Sequence, residues 1–244
     1  MPLARSFESE VAVLLFGAPE AIDLTDRVDE LDDREKARLL ALRRPADRRR
    51  FLVAHIGLRD APALRLDMTP AEVRLGNDTC PVCGSAEHGR PISLDDPDST
   101  HWSISHTDGL VAIAVGSSPV GIDVESLARA DDTSFLDEVG THPDDADAMV
   151  AVPSADERAL GRTRLARWSR LEAALKVTGA GLGIDPSTIA VGLSGQRTIH
   201  PLMPSSGECR HPSVTIVDLV VGEAHVGALA VSGPEAPRVS STWL

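Results

Sequence analysis

Two acidic residues lie in a short segment, Val120-Gly-Ile-Asp-Val-Glu125, whose composition is otherwise typical of a β-strand. Because side chains alternate along a strand, the large apolar residues face one side, while Asp123 and Glu125 face the other, roughly 6–7 Å apart at their Cα atoms. Aspartate is disfavoured in strands, and two neighbouring carboxylates repel each other unless a hard cation such as Mg²⁺ binds between them. The segment therefore predicts either a metal site or the hydrated outer face of a strand.

A second candidate set lies on a predicted helix, where Trp168, Glu172 and Lys176 are spaced four residues apart and share one face. Glutamate followed by lysine at this spacing is also common on exposed helices, where the pair contributes only about 0.3–0.5 kcal/mol. Lys176 is, with Lys36, one of two lysines among 24 basic residues. Since lysine offers a compact charge and arginine a planar fork, the choice of lysine favours a specific electrostatic role.

A predicted hairpin carries a hydroxyl and an imidazole side by side, at Ser105 and His106. Adjacent residues of a strand point to opposite faces, so this pair does not suit a Ser–His nucleophile, and the sequence contains no G-x-S-x-G elbow. Ser105 is therefore either a hydrogen-bond donor to a phosphate or a cap of the following turn. The loop His88-Gly-Arg90-Pro adds a cation that could contact phosphate.

The charge of the chain restricts its partners. Its net charge is −13 and aromatic residues make up 3% of it, so it lacks the basic surface and the stacking platforms that nucleic acids require. Five arginines nevertheless cluster within a few residues: Arg43, Arg44, Arg48, Arg49 and Arg50. A basic cluster in an acidic protein indicates a specific anionic ligand, whereas the alternative is a solvated helix face.

The odd number of cysteines, Cys80, Cys83 and Cys209, does not suggest a disulfide framework. Cys80-Pro-Val-Cys83 has the spacing of a zinc knuckle, and Cys209 with His211 could complete a four-ligand site. The sequence favours the alternative, a turn before Gly84 with two free thiols, because Cys209-Arg-His211 is not an equally clear second pair.

These residues need a scaffold, and 244 residues suffice for one large domain or two small halves. The hydrophobic pattern predicts strands at 11–17, 101–106, 110–115, 120–125, 188–193, 213–221 and 225–231, and helices at 29–42, 46–58, 144–150 and 156–177. Thr69-Pro-Ala-Glu72 predicts a further helix start, and residues 232–244 resemble a tail. No apolar run reaches the ~18–20 residues of a membrane helix and the N-terminal segment is acidic, so we expect a cytoplasmic protein.

Segments 108–115 and 224–231 resemble each other, which indicates two related α+β halves that meet near residue 120. Taken in order, the HGRP loop, the WSISH hairpin, VGIDVE, WSRLEAALK and the GAGL turn resemble the motifs of the surfactin-type (group II) 4′-phosphopantetheinyl transferases. The resemblance spans about residues 34–182. It implies an α+β fold of two similar halves, here 1–119 and 120–244, related by a pseudo-twofold axis, with coenzyme A in the cleft between them.

The resemblance also implies a reaction and its residues. A serine of an acyl or peptidyl carrier protein would attack the β-phosphate of coenzyme A, and adenosine 3′,5′-bisphosphate would leave a monomeric, Mg²⁺-dependent enzyme. The implied metal ligands are Asp123, Glu125 and Glu172. The implied phosphate contacts are Arg34, Arg50, Arg90, Ser105 and His106. Lys176 would lie beside the transferred phosphate, and Glu172 would be the general base, directly or through a water.

Two positions depart from the family pattern, since Leu171 and Ala180 stand where the family usually or often has a lysine. Arg170 does not simply replace the first, because it is rotated about 100° around the helix. Two alternative functions stay open, the first because of these departures and the second because of the cysteine spacing. One is a catalytically silent coenzyme A-binding protein on the same scaffold, and the other is a zinc-stabilised interaction domain built on Cys80 and Cys83.

Overall fold

The computed structural model describes residues 10–66, 68–85, 89–94, 100–137, 139–152, 157–201 and 213–244. Within these ranges the strands are β1 (Glu10–Gly17), β2 (Leu75–Asn77), β3 (Pro91–Ser93), β4 (His101–Thr107), β5 (Leu110–Gly116), β6 (Val120–Ser126), β7 (Arg197–Ile199), β8 (Val214–Asp218), β9 (His225–Ser232) and β10 (Arg238–Trp243). The α-helices are α1 (Asp33–Ala41), α2 (Pro45–Leu66), α3 (Pro143–Val150) and α4 (Glu157–Thr178). The predicted mixture of helices and strands is confirmed.

One sheet has six strands in the order β10-β1-β5-β4-β3-β2. Strands β4 and β5 form the predicted hairpin, and Gly109 adopts the left-handed φ of +80° that its turn requires. Helix α2 covers this sheet, because Val53, Ala54 and Leu58 on its apolar face share a buried cluster with Trp102 of β4. The N-terminal strands therefore form one side of the molecule's core.

The second sheet has the order β6-β9-β8-β7, and α4 packs across it. Leu175 and Val177 of α4 share a buried cluster with Ile216 and Ala230 of the sheet. The helix approaches β6 so closely that a Cβ atom at Gly121 would collide with the carbonyl oxygen of α4 beside it. The glycine of the VGIDVE segment thus sets the distance between the strand and the helix that carry the candidate residues.

The two sheets meet where β6 lies against β4. Three hydroxyls on alternate residues of β4 accept hydrogen bonds from alternate backbone N–H groups of β6, at 3.1 to 3.2 Å. The pairs, hydroxyl first, are Ser103 with Ile122, Ser105 with Val124 and Thr107 with Ser126. These side chains take the place of strand carbonyls, so the joint between the sheets satisfies backbone groups that would otherwise be buried without partners.

Three predicted elements are wrong. Residues 238–243, expected in a tail, form β10, which pairs in parallel with β1. Residues 188–193 are not a strand, because the N–H groups of Val191 and Gly192 bind the Asp145 carboxylate instead of a neighbouring strand. The capping box at Thr69 and Glu72 is present, but it starts only a three-residue 3₁₀ turn.

Three residues of the predicted sites cannot be placed in the fold. The candidate zinc ligands Cys209 and His211, and His88 of the HGRP loop, lie outside the described residues. Neither of the 22-residue helices, nor any other helix in the described ranges, has the apolar length that a membrane span requires.

Candidate active site

Asp123 lies at the centre of a buried polar network between the two sheets and α4. Its Oδ1 atom accepts a hydrogen bond from the Ser105 hydroxyl at 2.9 Å and forms an ion pair with Lys176 Nζ at 2.9 Å. The same ammonium donates to the carbonyl oxygen of Ile122 at 2.8 Å and lies 3.4 Å from that of Ile104. Strands β4 and β6 and helix α4 thus each contribute one side chain to a single carboxylate site.

Glu125 and Glu172 lie close enough to Asp123 to experience its charge. Burial raises the pKa of Glu125, and repulsion by Asp123 raises it further. Burial also raises the pKa of Glu172, with an added contribution from Asp123 that the positive charge of Lys176 opposes. The indole N–H of Trp168 donates to Glu125 Oε1 at 3.2 Å and holds that carboxylate in place. Three carboxylates therefore share a partly desolvated region with one ammonium.

The donor set suits a hard divalent cation in its chemistry. The second oxygen of Asp123, Oδ2, is buried and has no hydrogen-bond partner within the described ranges, as expected of an oxygen whose partner is a metal. In the same ranges no three His, Cys, Asp or Glu side chains converge on one point. Both oxygens of Glu125 already have partners, because Oε1 accepts from Trp168 and Oε2 lies 3.5 Å from the Arg129 guanidinium, so ligation by all three carboxylates requires a side-chain rearrangement. The residue types therefore suit Mg²⁺, and Asp123 Oδ2 is available to bind it.

A cavity of about 260 Å³ adjoins this network, with Lys176, Arg90 and Ala180 in its lining. The Arg90 guanidinium forms an ion pair with Asp78 at 2.8 Å. Gly179 ends α4 with a left-handed φ of +71°, and a Cβ there would lie 3.2 Å from Cγ of Arg90. The glycine after the helix therefore gives Arg90 room to line the cavity.

A larger cavity of about 1,040 Å³ is lined by the other predicted cations, Arg34, Arg50 and His106. Arg50 is already paired, because its guanidinium lies 2.9 Å from the carboxylate of Glu20 and 2.6 Å from that of Asp108. The carboxylate of Asp47 lies 3.8 Å away on the same helix, so an anionic ligand that uses Arg50 must compete with three carboxylates.

His106 lies beside these cations and has a pKa below the usual histidine range. The residue is exposed at one side, yet the surrounding protein desolvates the ring and so lowers its pKa. The positive charges of Arg50, His55 and Lys176 lower that pKa further. A bound anion would reverse this effect, since it would favour the protonated ring.

Part of the chain matches a family model. Residues 119–226 match the family model of the 4′-phosphopantetheinyl transferase superfamily. The resemblance predicted from the sequence is thereby confirmed. The matched segment of this superfamily includes Asp123, Glu125, Glu172 and Lys176, whereas the predicted phosphate contacts precede it: Arg34, Arg50, Arg90, Ser105 and His106. The individual roles of all these residues stay predictions.

Relatives named as phosphopantetheinyl transferases align with longer parts of the chain. The chain is 29% identical over 165 residues to one from Thraustochytrium, covering 63% of this chain and 54% of the relative. It is 25% identical over 172 residues to one from Bacillus subtilis, covering 66% of each, and 31% identical over 114 residues to one from Bacillus pumilus, covering 46% of each. The chain thus spans between 46% and 66% of the length of these curated relatives.

The structure adds residues to the candidate site that the sequence patterns did not indicate. Ser103, two residues before Ser105, accepts a hydrogen bond from the backbone of β6. The hydroxyl residues at alternate positions of β4 could have indicated this contact. Glu20 and Asp108, which bind Arg50, come from distant parts of the chain and gave no signal. Arg170 is fully buried and pairs with Asp218 at 2.5 Å, so it does not replace the cation missing at Leu171.

Proposed function

We propose that the protein is a 4′-phosphopantetheinyl transferase that moves the phosphopantetheine arm of coenzyme A onto a serine of an acyl or peptidyl carrier protein. The observation that carries this proposal is the Asp123 network, in which one buried oxygen has no partner and the other is paired with Lys176. The network lies inside the segment that matches the superfamily. The names of the relatives support the same reaction.

Coenzyme A would place its anionic groups across the two cavities, which are neighbours because Pro91 lines both. The larger one offers Arg34, Arg50 and His106 to phosphate groups, and the smaller one offers Arg90 and Lys176. Arg50 would exchange its carboxylate partners for phosphate. The bound arrangement would bring the pyrophosphate next to the three carboxylates.

The transfer step forms a bond between the carrier serine Oγ and the β-phosphorus and breaks the bond from that phosphorus to the bridging oxygen, so adenosine 3′,5′-bisphosphate leaves. Glu172 would accept the serine proton, and its raised pKa brings it nearer to the working pH of a general base. Lys176 would stabilise charge on the phosphate. Asp123, Glu125 and Glu172 would hold Mg²⁺, which when bound neutralises the pyrophosphate. Since a ligating carboxylate is not a free base, proton transfer from serine through a water fits Glu172 best.

The same proposal includes the predicted architecture of two similar halves, 1–119 and 120–244, about a pseudo-twofold axis. It is supported by the 22-residue helices α2 and α4, each of which packs on one sheet. Strand β10 belongs by sequence to the second half but pairs with β1 of the first, so the halves are interleaved. The proposal also includes the predicted cytoplasmic location and monomeric state, and the monomer is consistent with candidate site residues that all lie on one chain.

Intact-mass analysis tests the reaction. Apo carrier proteins of fatty-acid, polyketide and non-ribosomal peptide type would be incubated with the protein, coenzyme A and Mg²⁺. We expect one carrier class to gain one phosphopantetheine arm, and the gain to disappear with a chelator or in Glu172→Ala. Glu157→Ala, an exposed change at the start of the same helix, is the matched control and should keep the activity. A folded protein that modifies no carrier would contradict the proposal.

A catalytically silent coenzyme A-binding protein is the second candidate, favoured by the departures at Leu171 and Ala180. Leu171 is fully buried in the core under α4, so this departure removes no side chain from the cavities. Ala180 lines the smaller cavity with Lys176, so the missing cation there is the relevant difference. Calorimetric binding of coenzyme A without transfer to any carrier would establish this alternative.

The arginine cluster at the α1–α2 connection and the start of α2 suggests how an acidic enzyme binds an acidic carrier. Arg43 and Arg44 are exposed, whereas the side chain of Arg50 is 15% exposed and lines the larger cavity. We therefore assign the first two to the carrier and Arg50 to coenzyme A, since a local cationic patch offsets like-charge repulsion. Arg43→Glu should raise the carrier KM and leave that of coenzyme A unchanged, with Arg238→Glu on exposed β10 as the control. An unchanged carrier KM would rule out this assignment.

A further inference from the structure

The carboxylate of Glu125 lies between two donors that come from different parts of the fold. One oxygen, Oε1, accepts the indole N–H of Trp168 on α4 at 3.2 Å, and the other, Oε2, lies 3.5 Å from the guanidinium of Arg129. Arg129 belongs to the 3₁₀ turn directly after β6, four residues beyond Glu125. Because the Glu125 side chain is 13% exposed, these two groups, more than water, determine where its carboxylate lies.

The two donors differ in how firmly they are held and in the side on which they lie. Trp168 packs against two buried clusters, one of α4 with the second sheet and one that includes the segment after β6. It lies four residues before Glu172 and shares a helix face with it. The Arg129 side chain, in contrast, is 47% exposed and lies over the ring of Phe135, 4.2 Å from its centre. The indole therefore holds Glu125 towards the helix that carries Glu172, whereas the guanidinium holds it towards the protein surface.

We propose that Trp168 is a positioning residue for the metal ligand Glu125, and that Arg129 competes with the metal for the same carboxylate. The inference rests on the proposed function, in which Glu125 is one of three carboxylates that hold Mg²⁺. A donor to one oxygen of a ligating carboxylate orients it and leaves the other oxygen for the cation, as outer-shell partners do in metal sites. A guanidinium on that other oxygen occupies it, and its positive charge repels the cation. Glu125 would therefore keep Trp168 and give up Arg129 in the metal-bound protein.

These two roles predict opposite effects on the affinity for Mg²⁺. Trp168→Phe keeps the aromatic packing but removes the N–H, and it should weaken Mg²⁺ binding about 10-fold, as the loss of an outer-shell partner does. Arg129→Gln removes the competing charge of a partly exposed pair, and it should strengthen Mg²⁺ binding about 2–5-fold. A general loss of structure does not strengthen metal binding, so the second variant tests the inference even if the first folds poorly.

Titration calorimetry of the full chain with Mg²⁺ alone measures both effects without any transfer. Arg129→Lys keeps the positive charge and should bind Mg²⁺ less tightly than Arg129→Gln does. Arg238→Gln makes the same charge change on exposed β10 and should leave the affinity unchanged. Tryptophan fluorescence gives a second readout, because the charge beside the Trp168 indole changes when the metal binds. Mg²⁺ should change the emission of the wild type and of Trp243→Phe, a change at a half-exposed residue of β10, and this response should be lost in Trp168→Phe.

The wild-type titration separates this inference from the proposed function. A wild-type protein that binds no Mg²⁺ would remove the metal site, and with it both this inference and the metal-dependent form of the proposed function. If the wild type binds Mg²⁺ and Trp168→Phe binds it equally tightly, the role of Trp168 is overturned while the proposed function stands. If Arg129→Gln binds Mg²⁺ no more tightly than the wild type does, Arg129 does not compete with the metal.

Discussion

The ammonium of Lys176 lies 2.9 Å from Asp123 Oδ1, and this ion pair connects α4 to β6 at the joint between the two sheets. The Asp123 side chain is 8% exposed and that of Lys176 is 27% exposed, so the pair is substantially desolvated. In such a pair each charge is tolerated because of the other, and removal of one partner leaves a buried charge without compensation. The pair therefore affects both stability and the proposed chemistry.

Lys176→Met should abolish transfer and lower the free energy of unfolding by about 3 kcal/mol, because Asp123 remains buried without its cation. Urea denaturation measures the second effect. The matched control is Lys36→Met, since in the described parts of the chain the ammonium of this other lysine has one exposed contact, to a carbonyl oxygen at 3.4 Å. That change should stay within about 0.5 kcal/mol of the wild type.

A double-mutant cycle separates the pair from its surroundings. Asp123→Asn with Lys176→Met should be less destabilising than the sum of the single changes, because no charge is then left unpaired. Strict additivity of the two changes would mean that the ion pair does not stabilise the joint.

Ser105→Ala should destabilise the protein more than Ser103→Ala does. Both changes remove a hydroxyl that accepts a backbone N–H of β6, and each should cost about 1–3 kcal/mol. Only the Ser105 hydroxyl also donates to Asp123. We therefore expect its loss alone to weaken Mg²⁺ binding, measured by titration calorimetry. Equal Mg²⁺ affinities in the two variants would show that Ser105 acts only by accepting the backbone hydrogen bond from β6.

Local patterns predicted which candidate residues share a strand or a helix face. The alternation in VGIDVE placed Asp123 and Glu125 on one strand, and the helical spacing placed Glu172 and Lys176 on one helix face, because both periods are properties of neighbouring residues. The contact between Asp123 and Lys176 could not be read in this way. It depends on how closely α4 approaches β6, which Gly121 permits.

Strand β10 shows the limit of the same reasoning for the fold. Each of its residues 238–243 is exposed, so its sequence has no apolar alternation to reveal a strand. Its hydrogen-bond partner β1 lies at the opposite end of the described chain. The pairing exists because the tertiary fold brings β1 and β10 together, and no local sequence pattern indicates it.

Glu172→Gln should stabilise the protein at neutral pH while it abolishes transfer. Burial raises the pKa of Glu172, so the folded state holds a proton that the unfolded state has already lost. Wild-type stability from this group is therefore complete below the ordinary glutamate pKa and is lost as the pH rises through the folded value. The variant should match the wild type at acid pH and exceed it at neutral pH in urea denaturation. Transfer should fall at least ~100-fold.

Two controls make this prediction specific. Mg²⁺ should reduce the advantage of the variant, because a cation that binds three carboxylates stabilises the wild type more than a variant that keeps two of them. Glu157→Gln, exposed at the start of the same helix, should show no comparable dependence on pH. A Glu172→Gln variant that is less stable than the wild type at neutral pH would show that the surrounding protein stabilises the ionised carboxylate of Glu172.

Glu35 has the opposite pH dependence and lies at the contact between α1 and α2. Burial alone would raise its pKa, but hydrogen bonds from His55 at 2.8 Å and Arg59 at 2.6 Å lower that pKa to about 2. The resulting stability is present above the ordinary glutamate pKa and is lost as the pH falls from there towards 2. Glu35→Gln should therefore cost about 3 kcal/mol at neutral pH and almost nothing near pH 2.

The control Asp33→Asn, exposed in the first turn of α1, should have little effect at either pH. If the penalty of Glu35→Gln were constant across this range, packing and not the charge of Glu35 would hold the two helices together.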